Sequence, residues 1–467
     1  MTDATSLIDR TLDQLMSAWR GITAQARDRV EERLFGRGPE HWRRQMQACL
    51  DGRGGEVSAR GRAAQLGRTY LELDSDGRRE FLGVLARDFD VDPAQVDAAV
   101  ERFHQADGPV ARQAAERALR QALQAGRLRL LTQFNGLPEG VKFLVDMRAD
   151  LQGLAAGDPA LLALDSDLVE LLKSWFDIGF LELRRITWDS PAALLEKLIR
   201  YEAVHAIAGW DDLKNRLDSD RRCYAFFHPR MPDEPLIFVE VALVRGMSAS
   251  IQDLLDETAP VADAADADTA IFYSISNAQR GLAGVSFGNF LIKRVVELLS
   301  GQLPRLRHFV TLSPIPGFRA WLTAELAAKG PALLTEDESK NLKDQGIVLG
   351  SDGLEAVLAR AGWERDETVS EALKAPLVRL AATYLVKARK GSRAADPVAH
   401  FHLTNGARVE RVNWLADRSV KGLQQSAGMM VNYAYRLADI DANHESYRGE
   451  GKVSTSNLIK SLLKLPA

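Results

Sequence analysis

The sequence is short of cysteine and contains no long apolar run. Only two cysteines, Cys49 and Cys223, occur among its 467 residues. Two thiols are too few for a disulfide framework or for a four-thiolate zinc site, so a reducing compartment is favoured. Nowhere do about 18 apolar residues follow one another, which is roughly the minimum for a helix that crosses a membrane. We therefore predict a chain that is not cross-linked by disulfides and does not span a membrane.

The net charge and the terminal sequences bear on the partners and the location of the protein. A formal net charge of −4, with 27% charged and 46% apolar residues, is ordinary for a globular protein and predicts neither a nucleic-acid nor a membrane partner. The first residues, MTDATSLIDRTLDQLMSAW, have no basic start and no continuous apolar segment, so we expect no secretory signal. The last residues, KSLLKLPA, differ from the Ser-Lys-Leu peroxisomal address. We expect a cytoplasmic protein.

The first part of the chain has the periodicity of helices. Asp92 followed by Pro93 is typical of a helix N-cap and first turn. The stretch 110–134 consists mostly of strong helix formers. Near the N-terminus, apolar residues recur at three- and four-residue steps, at Leu7, Ile8, Leu12, Leu15, Met16 and Trp19. We predict an all-helical domain over residues 1–178.

Beyond residue 178 the sequence pattern changes to one that is typical of an α/β domain. The stretch that starts at Ser190 predicts a helix capped by Ser190, with Pro191 in its first turn. The acidic segment 257–268 is typical of a loop. Short segments rich in β-branched and aromatic residues predict strands at 180–186, 222–228, 235–244, 270–276 and 307–313. We predict an α/β domain over residues 179–467.

A glycine-rich segment lies between a predicted strand and an amphipathic helix. Gly281, Gly284 and Gly288 follow the pattern GxxGxxxG. Glycines allow a phosphate to approach unpaired backbone N–H groups at a helix start, so the segment is a candidate anion site. The pattern is neither the GxGxxG of dinucleotide folds nor a Walker A loop. The alternative is a turn that needs glycines for its own geometry.

Ser313 ends the predicted strand 307–313. Pro314 and Pro316 follow at once and are predicted to stop strand pairing, and Gly317 permits a sharp turn. Ligands gather at the carboxyl ends of strands in open α/β sheets, so Ser313 is a candidate site residue. The alternative is a serine that bonds its own turn. No G-x-S-x-G motif surrounds it, which argues against a hydrolase serine.

The segment VAHFHLTNGARVERVNW predicts a β-hairpin. Asn405-Gly406 is a strong hairpin-turn signal. His400 and His402 would share one face of the first strand, because alternate residues of a strand do so. A metal site would need a third ligand, and no cysteine or further histidine stands nearby, so we predict no metal. The alternative is that both histidines are structural.

Several motifs in order are similar to those of one family. IFYSIS, G-L-x-G-V-x-x-G-x-F-L-I-K-R-V-V, L-S-P-I-P-G-F, F-H-L-x-N-G-A and N-W-x-A-D resemble motifs of malonyl-CoA decarboxylases, as do R-R-C-Y-x-F-x-H and E-A-V-H earlier in the chain. They span roughly residues 180–450, and the helical part resembles the family through its position and length. The resemblance implies decarboxylation of malonyl-CoA to acetyl-CoA, a step of fatty acid metabolism.

The resemblance also implies a fold, an assembly and a site. It implies a helical N-terminal domain, a GNAT-like acyltransferase-fold catalytic domain with a mixed central sheet, and a homo-oligomer that is a dimer or a tetramer. Ser313 and His402 would be the catalytic pair, and Tyr435 in VNYAY would support the histidine. Many relatives carry glutamate where this chain has Ser286. The phosphate side of malonyl-CoA would bind the loop of Ala283, Gly284, Val285, Ser286, Phe287, Gly288 and Asn289.

The chemistry of the substrate agrees with a site that has no metal or organic cofactor. Loss of carbon dioxide leaves an enolate on the thioester, which is its own electron sink. The protein must orient the carboxylate, offer donors to the thioester oxygen and deliver a proton to carbon. A histidine whose pKa lies near neutrality can donate that proton, with Ser313 at the carboxylate; which of the two delivers it stays open. The alternatives are an acyl-CoA N- or O-acyltransferase on the same fold, or a CoA-binding scaffold.

Overall fold

In a computed structural model, the chain is described over residues 15–20, 22, 38–51, 55–176, 178–285, 291–347 and 353–464. It forms two compact units. The first comprises Met1–Leu181, His228–Glu234 and Gln279–Ser286, and the second comprises Glu182–Phe227, Pro235–Ala278 and Phe287–Ala467. The predicted domain boundary at residue 178 stays a prediction. Two segments from later in the chain pack with the helices of the first unit.

The described part of residues 1–178 is helical, as predicted. Asp92 caps its helix through a bond from Ala94 N to its carboxylate (3.0 Å), and Pro93 stands in the first turn. Residues 15–20 are helical, whereas Leu7, Ile8 and Leu12 lie outside the described residues. The helices are α1 Pro39–Leu50, α2 Gly55–Leu71, α3 Ser75–Asp88, α4 Pro93–Gln105, α5 Pro109–Ala122, α6 Gly126–Asn135, α7 Gly140–Leu154 and α8 Pro159–Trp175.

The stretch 110–134 is divided between α5 and α6 instead of running through. The break has a tertiary cause at Arg127, which is almost fully buried at the start of α6. Its backbone N–H donates to Phe89 O (2.8 Å), and its guanidinium bonds Asp167 (2.6 Å) and Ala86 O (2.7 Å). These contacts turn the chain between two segments whose helix propensity alone favours continuation.

An aromatic cluster fills the core of the first unit. Tyr70 and Phe81 meet edge to face with ring centroids 5.1 Å apart, and Phe143 contacts Tyr70 at 5.7 Å. Trp19 packs against Phe143 at 4.9 Å and donates its indole N–H to Pro138 O (2.8 Å). The buried indole is therefore satisfied while its ring adds apolar contact area.

The second unit is built on a mixed sheet. Its strands run in the order β1-β2-β3-β4-β5-β10, and every neighbouring pair for which a register is established is antiparallel except β4 with β5. A separate small ribbon pairs β7 Arg389–Lys390 with β8 Arg393–Ala394. The sheet strands are β1 Glu182–Ile186, β2 Arg221–His228, β3 Met231–Val244, β4 Thr269–Asn277, β5 His308–Thr311, β6 Ser313–Pro314, β9 Arg408–Asn413 and β10 Met430–Ala434. All five predicted strands are therefore confirmed, and so is the predicted mixed sheet. The GNAT-like assignment stays a prediction.

One expectation about the strand end is wrong. Pro314 does not stop pairing, because β6 continues β5 along the same antiparallel register of β10 and Pro314 lies opposite Met430. The missing N–H of proline is tolerated, since in the described part of the chain β6 pairs with a strand on one side only. Strand β9 pairs with the other edge of β10.

The second unit also contains helices. For the first of them, the N-cap predicted at Ser190 is wrong. Ser190 does not cap the helix that follows it, because its hydroxyl accepts from Thr187 N (3.1 Å) within the preceding turn. That helix is α9 and ends at Tyr201, where Glu202 turns its carboxylate to the Ser274 hydroxyl (2.7 Å). The described helices are α9 Ala192–Tyr201, α10 Trp210–Arg216, α11 Ile251–Leu254, α12 Leu291–Gln302, α13 Phe318–Lys329, α14 Glu336–Asp344, α15 Gly353–Leu358, α16 Glu367–Lys387, α17 Pro397–Thr404, α18 Val420–Ser426, α19 Ile440–Glu450 and α20 Asn457–Lys464.

The predicted hairpin around His402 is also wrong. The segment that carries His402 is helix α17, and β9 pairs with β10 instead of with this segment. Asp396 caps α17 by accepting from Val398 N and Ala399 N, both at 3.0 Å. Gly406, at φ 78°, ends the helix in the left-handed conformation. Asn405-Gly406 is thus a helix C-terminus, and the two histidines do not share a strand face.

None of the helices in the described ranges is both long enough and apolar enough to cross a membrane.

Candidate active site

Three predicted site residues come together in the second unit. Ser313 Oγ lies 3.0 Å from His402 Nε2, and His402 Nδ1 lies 2.7 Å from the Tyr435 hydroxyl. Ser313, His402 and Tyr435 are each buried. The sequence places them at three distant points of the chain, and the fold joins them into one hydrogen-bonded row.

The strand end holds the Ser313 hydroxyl in place. Ser313 Oγ donates to Thr311 Oγ1 (2.9 Å), which also accepts from Tyr433 N (3.1 Å). Asn432 donates its side-chain amide to Thr311 O (2.6 Å). Because β5 and β10 run side by side, these bonds fix the serine between two paired strands and leave its hydroxyl few alternative orientations.

Helix α17 aims the imidazole of His402. The ring stacks on Tyr433, with centroids 4.5 Å apart and planes inclined by 24°. The helix is anchored at its start by Asp396, whose carboxylate also accepts from Gly317 N (3.2 Å), in the turn after Ser313. Asp396 therefore links the turn that follows the serine to the helix that carries the histidine.

Burial determines the charge state of this row. Removal from water lowers the pKa of His402 to about 3, so the imidazole is neutral at physiological pH. Burial also raises the pKa of Tyr435 well above its ordinary value, so the phenol keeps its proton. The expectation of a histidine that titrates near neutrality is therefore wrong for the protein without substrate.

The hydrogen bonds favour one tautomer of His402. Ser313 donates its proton to Thr311, so Ser313 Oγ can accept from His402 Nε2–H. His402 Nδ1 then carries the lone pair and accepts the proton of the Tyr435 hydroxyl. The arrangement presents a neutral N–H donor beside a serine hydroxyl, which is the kind of group that stabilises a developing oxyanion.

The described part of the glycine segment belongs to the first unit. Gly281 requires glycine for a steric reason, because a Cβ there would lie 1.7 Å from Val145 O of α7. Gly284 has φ 78° and is exposed, and no atom of the described residues beyond its chain neighbours lies within 4 Å of a Cβ built there. Ala283 and Val285 flank it, whereas Ser286, Phe287, Gly288 and Asn289 lie outside the described residues. Gly281 thus fits the purely structural alternative, and Gly284 leaves room for a ligand.

Comparison with known proteins adds the family. A family model described as the malonyl-CoA decarboxylase C-terminal domain matches residues 179–467, and the corresponding N-terminal domain model matches residues 89–176. The chain belongs to the malonyl-CoA decarboxylase family.

Curated relatives and solved structures of the family cover most of the chain. Mitochondrial malonyl-CoA decarboxylase of Anser anser anser is 40% identical over 418 residues, covering 86% of this chain and 83% of that protein. The enzyme of Rattus norvegicus is 38% identical over 460 residues, covering 95% and 92%. The crystal structure of malonyl-CoA decarboxylase from Rhodopseudomonas palustris shares 43% identity and a TM-score of 0.83, covering 91% of this chain and 99% of that one.

Sequence reasoning missed residues around the malonyl-CoA decarboxylase motifs. Thr311 lies two residues before Ser313 on the same strand face, so alternation alone could have pointed to it. Asp396 followed by Pro397 is the same helix N-cap signal as Asp92 followed by Pro93, and it competes with the hairpin-turn signal of Asn405-Gly406. The role of Tyr433 as a stacking partner had no local signal.

Among the residues that the structure describes, no group of three or more His, Cys, Asp or Glu side chains is arranged to hold a metal ion.

The lowered pKa of His402 predicts how stability depends on pH. The folded state keeps the imidazole neutral down to a pKa of about 3, whereas the unfolded chain takes up a proton near 6.5. Stability conferred by the neutral form is therefore complete above about pH 6.5 and is lost as the pH falls toward 3. The free energy of unfolding, measured with urea, should fall less between pH 7.5 and pH 5 in His402→Asn than in the parent. An equal loss in both would contradict the lowered pKa.

Proposed function

We propose that this chain decarboxylates malonyl-CoA to acetyl-CoA and carbon dioxide, with Ser313 and His402 acting on the malonyl group and without a metal or organic cofactor. The observation that carries the proposal is the buried row Ser313–His402–Tyr435 in a member of this family. In the same proposal the protein is a cytoplasmic homo-oligomer, either dimeric or tetrameric.

The row suits the charge that the reaction develops. As the bond to the carboxylate carbon breaks, its electron pair moves into the thioester and forms an enolate oxygen. His402 Nε2–H is proposed to turn from Ser313 toward this oxygen, where a neutral imidazole donor stabilises the developing negative charge. Ser313 is proposed to turn its hydroxyl proton from Thr311 Oγ1 to the carboxylate and to hold that group as it departs. The proton that completes the methyl group passes to carbon from His402 or from Ser313. The donor then takes a proton back from solvent, so that each turnover consumes one proton and releases one carbon dioxide.

The loop of the first unit is proposed to bind the phosphate side of the substrate. Ala283, Gly284 and Val285 would contribute backbone N–H groups, as would Ser286–Asn289 by the family pattern. The open space around Gly284 supports this proposal, because a side chain there would fill the approach to the backbone. Ser286 brings a hydroxyl where many relatives carry a carboxylate, so no carboxylate from this position enters the proposed mechanism.

Tyr435→Phe tests the proposed tautomer. Loss of the hydroxyl removes the donor to His402 Nδ1, so the ring can move its proton to Nδ1 and lose the Nε2–H donor. We expect kcat to fall by about 10- to 100-fold, as for the loss of one well-placed donor. Steady-state kinetics with malonyl-CoA measures the fall.

Tyr433→Phe is the matched control for that change. Tyr433 is equally buried and touches the same imidazole through its ring, but its hydroxyl has no hydrogen-bond partner among the described residues. Its removal should leave kcat within about twofold and stability unchanged or slightly higher, since a buried unsatisfied hydroxyl is lost. Equal effects of the two substitutions would show that packing, and not the bond to Nδ1, sets the activity.

Product analysis with malonyl-CoA alone tests the activity itself. The proposal predicts acetyl-CoA and carbon dioxide in equal amounts with no acceptor added. Consumption of malonyl-CoA only after an amine or alcohol is supplied would indicate an acyltransferase. Tight binding of CoA without turnover would indicate a scaffold.

A further inference from the structure

Helix α7 of the first unit contacts the glycine segment and binds its backbone carbonyl oxygens. Gly281 lies directly against the helix, because a Cβ there would come within 1.7 Å of Val145 O. One turn along α7, Arg148 is almost fully buried. Its Nη1 donates to Gly281 O (2.6 Å) and to Ala283 O (2.7 Å). One side chain of helix α7 thus binds two backbone carbonyl oxygens of the loop.

The guanidinium is itself fixed by a second partner. Arg148 Nε donates to Asp165 Oδ1 (2.9 Å) and Nη2 to Asp165 Oδ2 (3.4 Å), across from α8. This two-point pairing orients the planar fork, so that Nη1 points at the two loop carbonyls. The charge of Arg148 is balanced by Asp165, which leaves the guanidinium to act as a rigid donor.

The bond to Ala283 O determines the direction of one loop amide. The peptide from Ala283 to Gly284 is trans, and in a trans peptide the C=O and the N–H point to opposite sides. With Ala283 O turned toward Arg148, the Gly284 N–H must point away from the helix. This N–H donates to no atom of the described residues, and Gly284 is exposed at φ 78°. A backbone donor with no partner among the described residues therefore points away from α7.

We infer that Arg148 is a positioning residue for substrate binding: it clamps the Ala283–Gly284 peptide so that the Gly284 N–H faces the phosphate groups of malonyl-CoA. The inference rests on the proposed phosphate-binding function of this loop. It gives the helical region a direct part in substrate affinity, separate from the decarboxylation step at Ser313 and His402.

Arginine is required for this arrangement by geometry. One guanidinium spans the Asp165 carboxylate on one side and two carbonyl oxygens on the other with nitrogens in a single plane. A lysine ammonium keeps the charge but cannot present the same fork, so Arg148→Lys should pair with Asp165 and release the loop carbonyls.

The test compares two substrates in each variant. Malonyl-CoA carries the phosphates, whereas malonyl-pantetheine carries the same thioester without the nucleotide. In the parent enzyme we expect kcat/KM to be at least about 100-fold higher for malonyl-CoA. Arg148→Lys should lower that ratio by about 10-fold, through a higher KM for malonyl-CoA with kcat within about twofold. Its kinetics with malonyl-pantetheine should match those of the parent, which a general loss of structure would not allow.

Arg127→Lys is the matched control. Arg127 is also a buried arginine of the first unit that pairs with a carboxylate, Asp167 (2.6 Å), and donates to a backbone oxygen, Ala86 O (2.7 Å). It makes no hydrogen bond to the part of the glycine loop that the structure describes, so its substitution should lower Tm as Arg148→Lys does and leave the substrate ratio unchanged. Asp165→Asn provides a second variant that keeps Arg148 but loosens it, and should lower the ratio by about threefold.

The outcomes separate the inference from the function on which it rests. A high ratio in the parent that stays the same in Arg148→Lys and Asp165→Asn would overturn the role of Arg148 and leave phosphate binding by the loop intact. A parent enzyme that handles both substrates equally well would overturn phosphate binding, and the inference with it. If Arg127→Lys lowers the ratio of kcat/KM for the two substrates as well, the effect of Arg148→Lys would be due to general destabilisation, which would overturn the role of Arg148.

Discussion

His402→Asn is expected to lower kcat by about 10²-fold or more, the usual contribution of a positioned proton donor. The neutral imidazole offers Nε2–H beside Ser313, and asparagine cannot place a donor at the same point while bonding Tyr435. Asparagine is preferable to alanine at this site. His402 is 3% exposed and stacks on Tyr433, so His402→Ala would leave a cavity and cost roughly 2–5 kcal/mol of stability in addition.

His400→Ala serves as the control for this result. His400 lies in the same helix and bonds the Tyr447 hydroxyl (2.8 Å), on another side of α17 from the row with Ser313. Its removal should leave kcat nearly unchanged. A folded His402→Asn enzyme that turns over normally, or a His400→Ala enzyme that loses as much activity, would refute the assignment of His402.

Ser313→Ala is expected to lower kcat by about 10- to 10³-fold with little change in KM. The hydroxyl is fixed by Thr311 and by the pairing of β6 with β10, so it is preorganised toward charge that develops during the reaction. Selective stabilisation of the transition state lowers kcat, whereas equal binding of ground and transition state would raise KM instead. Alanine keeps the small volume, so the strand end should persist.

A cysteine in place of Ser313 should restore only part of the activity, because a thiol is a weaker hydrogen-bond donor. Steady-state kinetics of Ser313→Ala and Ser313→Cys with malonyl-CoA measures both effects. A raised KM with an unchanged kcat in Ser313→Ala would mean that the serine binds the malonyl group without acting in the transition state.

Local sequence signals predicted the parts of the site that depend on neighbours in the chain. The strand before Ser313 could be read from its β-branched residues, and the helices at Asp92-Pro93 from capping chemistry. The hairpin prediction for the segment of His402 is wrong because Asn405-Gly406 is compatible both with a hairpin turn and with a helix end. What decides between them is the cap at Asp396, which accepts from Val398 N and Ala399 N and starts a helix. The same carboxylate also accepts from Gly317 N, a contact that no local pattern contains.

Other features depend on contacts that no local pattern contains. The lowered pKa of His402 follows from burial by the surrounding sheet and helix, which exist only in the fold. Gly281 needs glycine because of Val145 O, and Arg148 reaches Ala283 O across 135 positions of the sequence. Family motifs identified the residues of the glycine loop, whereas the reason for the shape of its described part lies in helix α7.

Rapid quench of the enzyme with malonyl-CoA, followed by intact-protein mass spectrometry and quantitation of acetyl-CoA, tests the central claim most directly. The proposed mechanism breaks a carbon–carbon bond and never transfers the acyl group to the protein. It therefore predicts one acetyl-CoA per malonyl-CoA consumed and an unmodified protein mass at every time point. A malonyl or acetyl adduct on Ser313 at stoichiometric level would contradict it and assign the chain to acyl transfer.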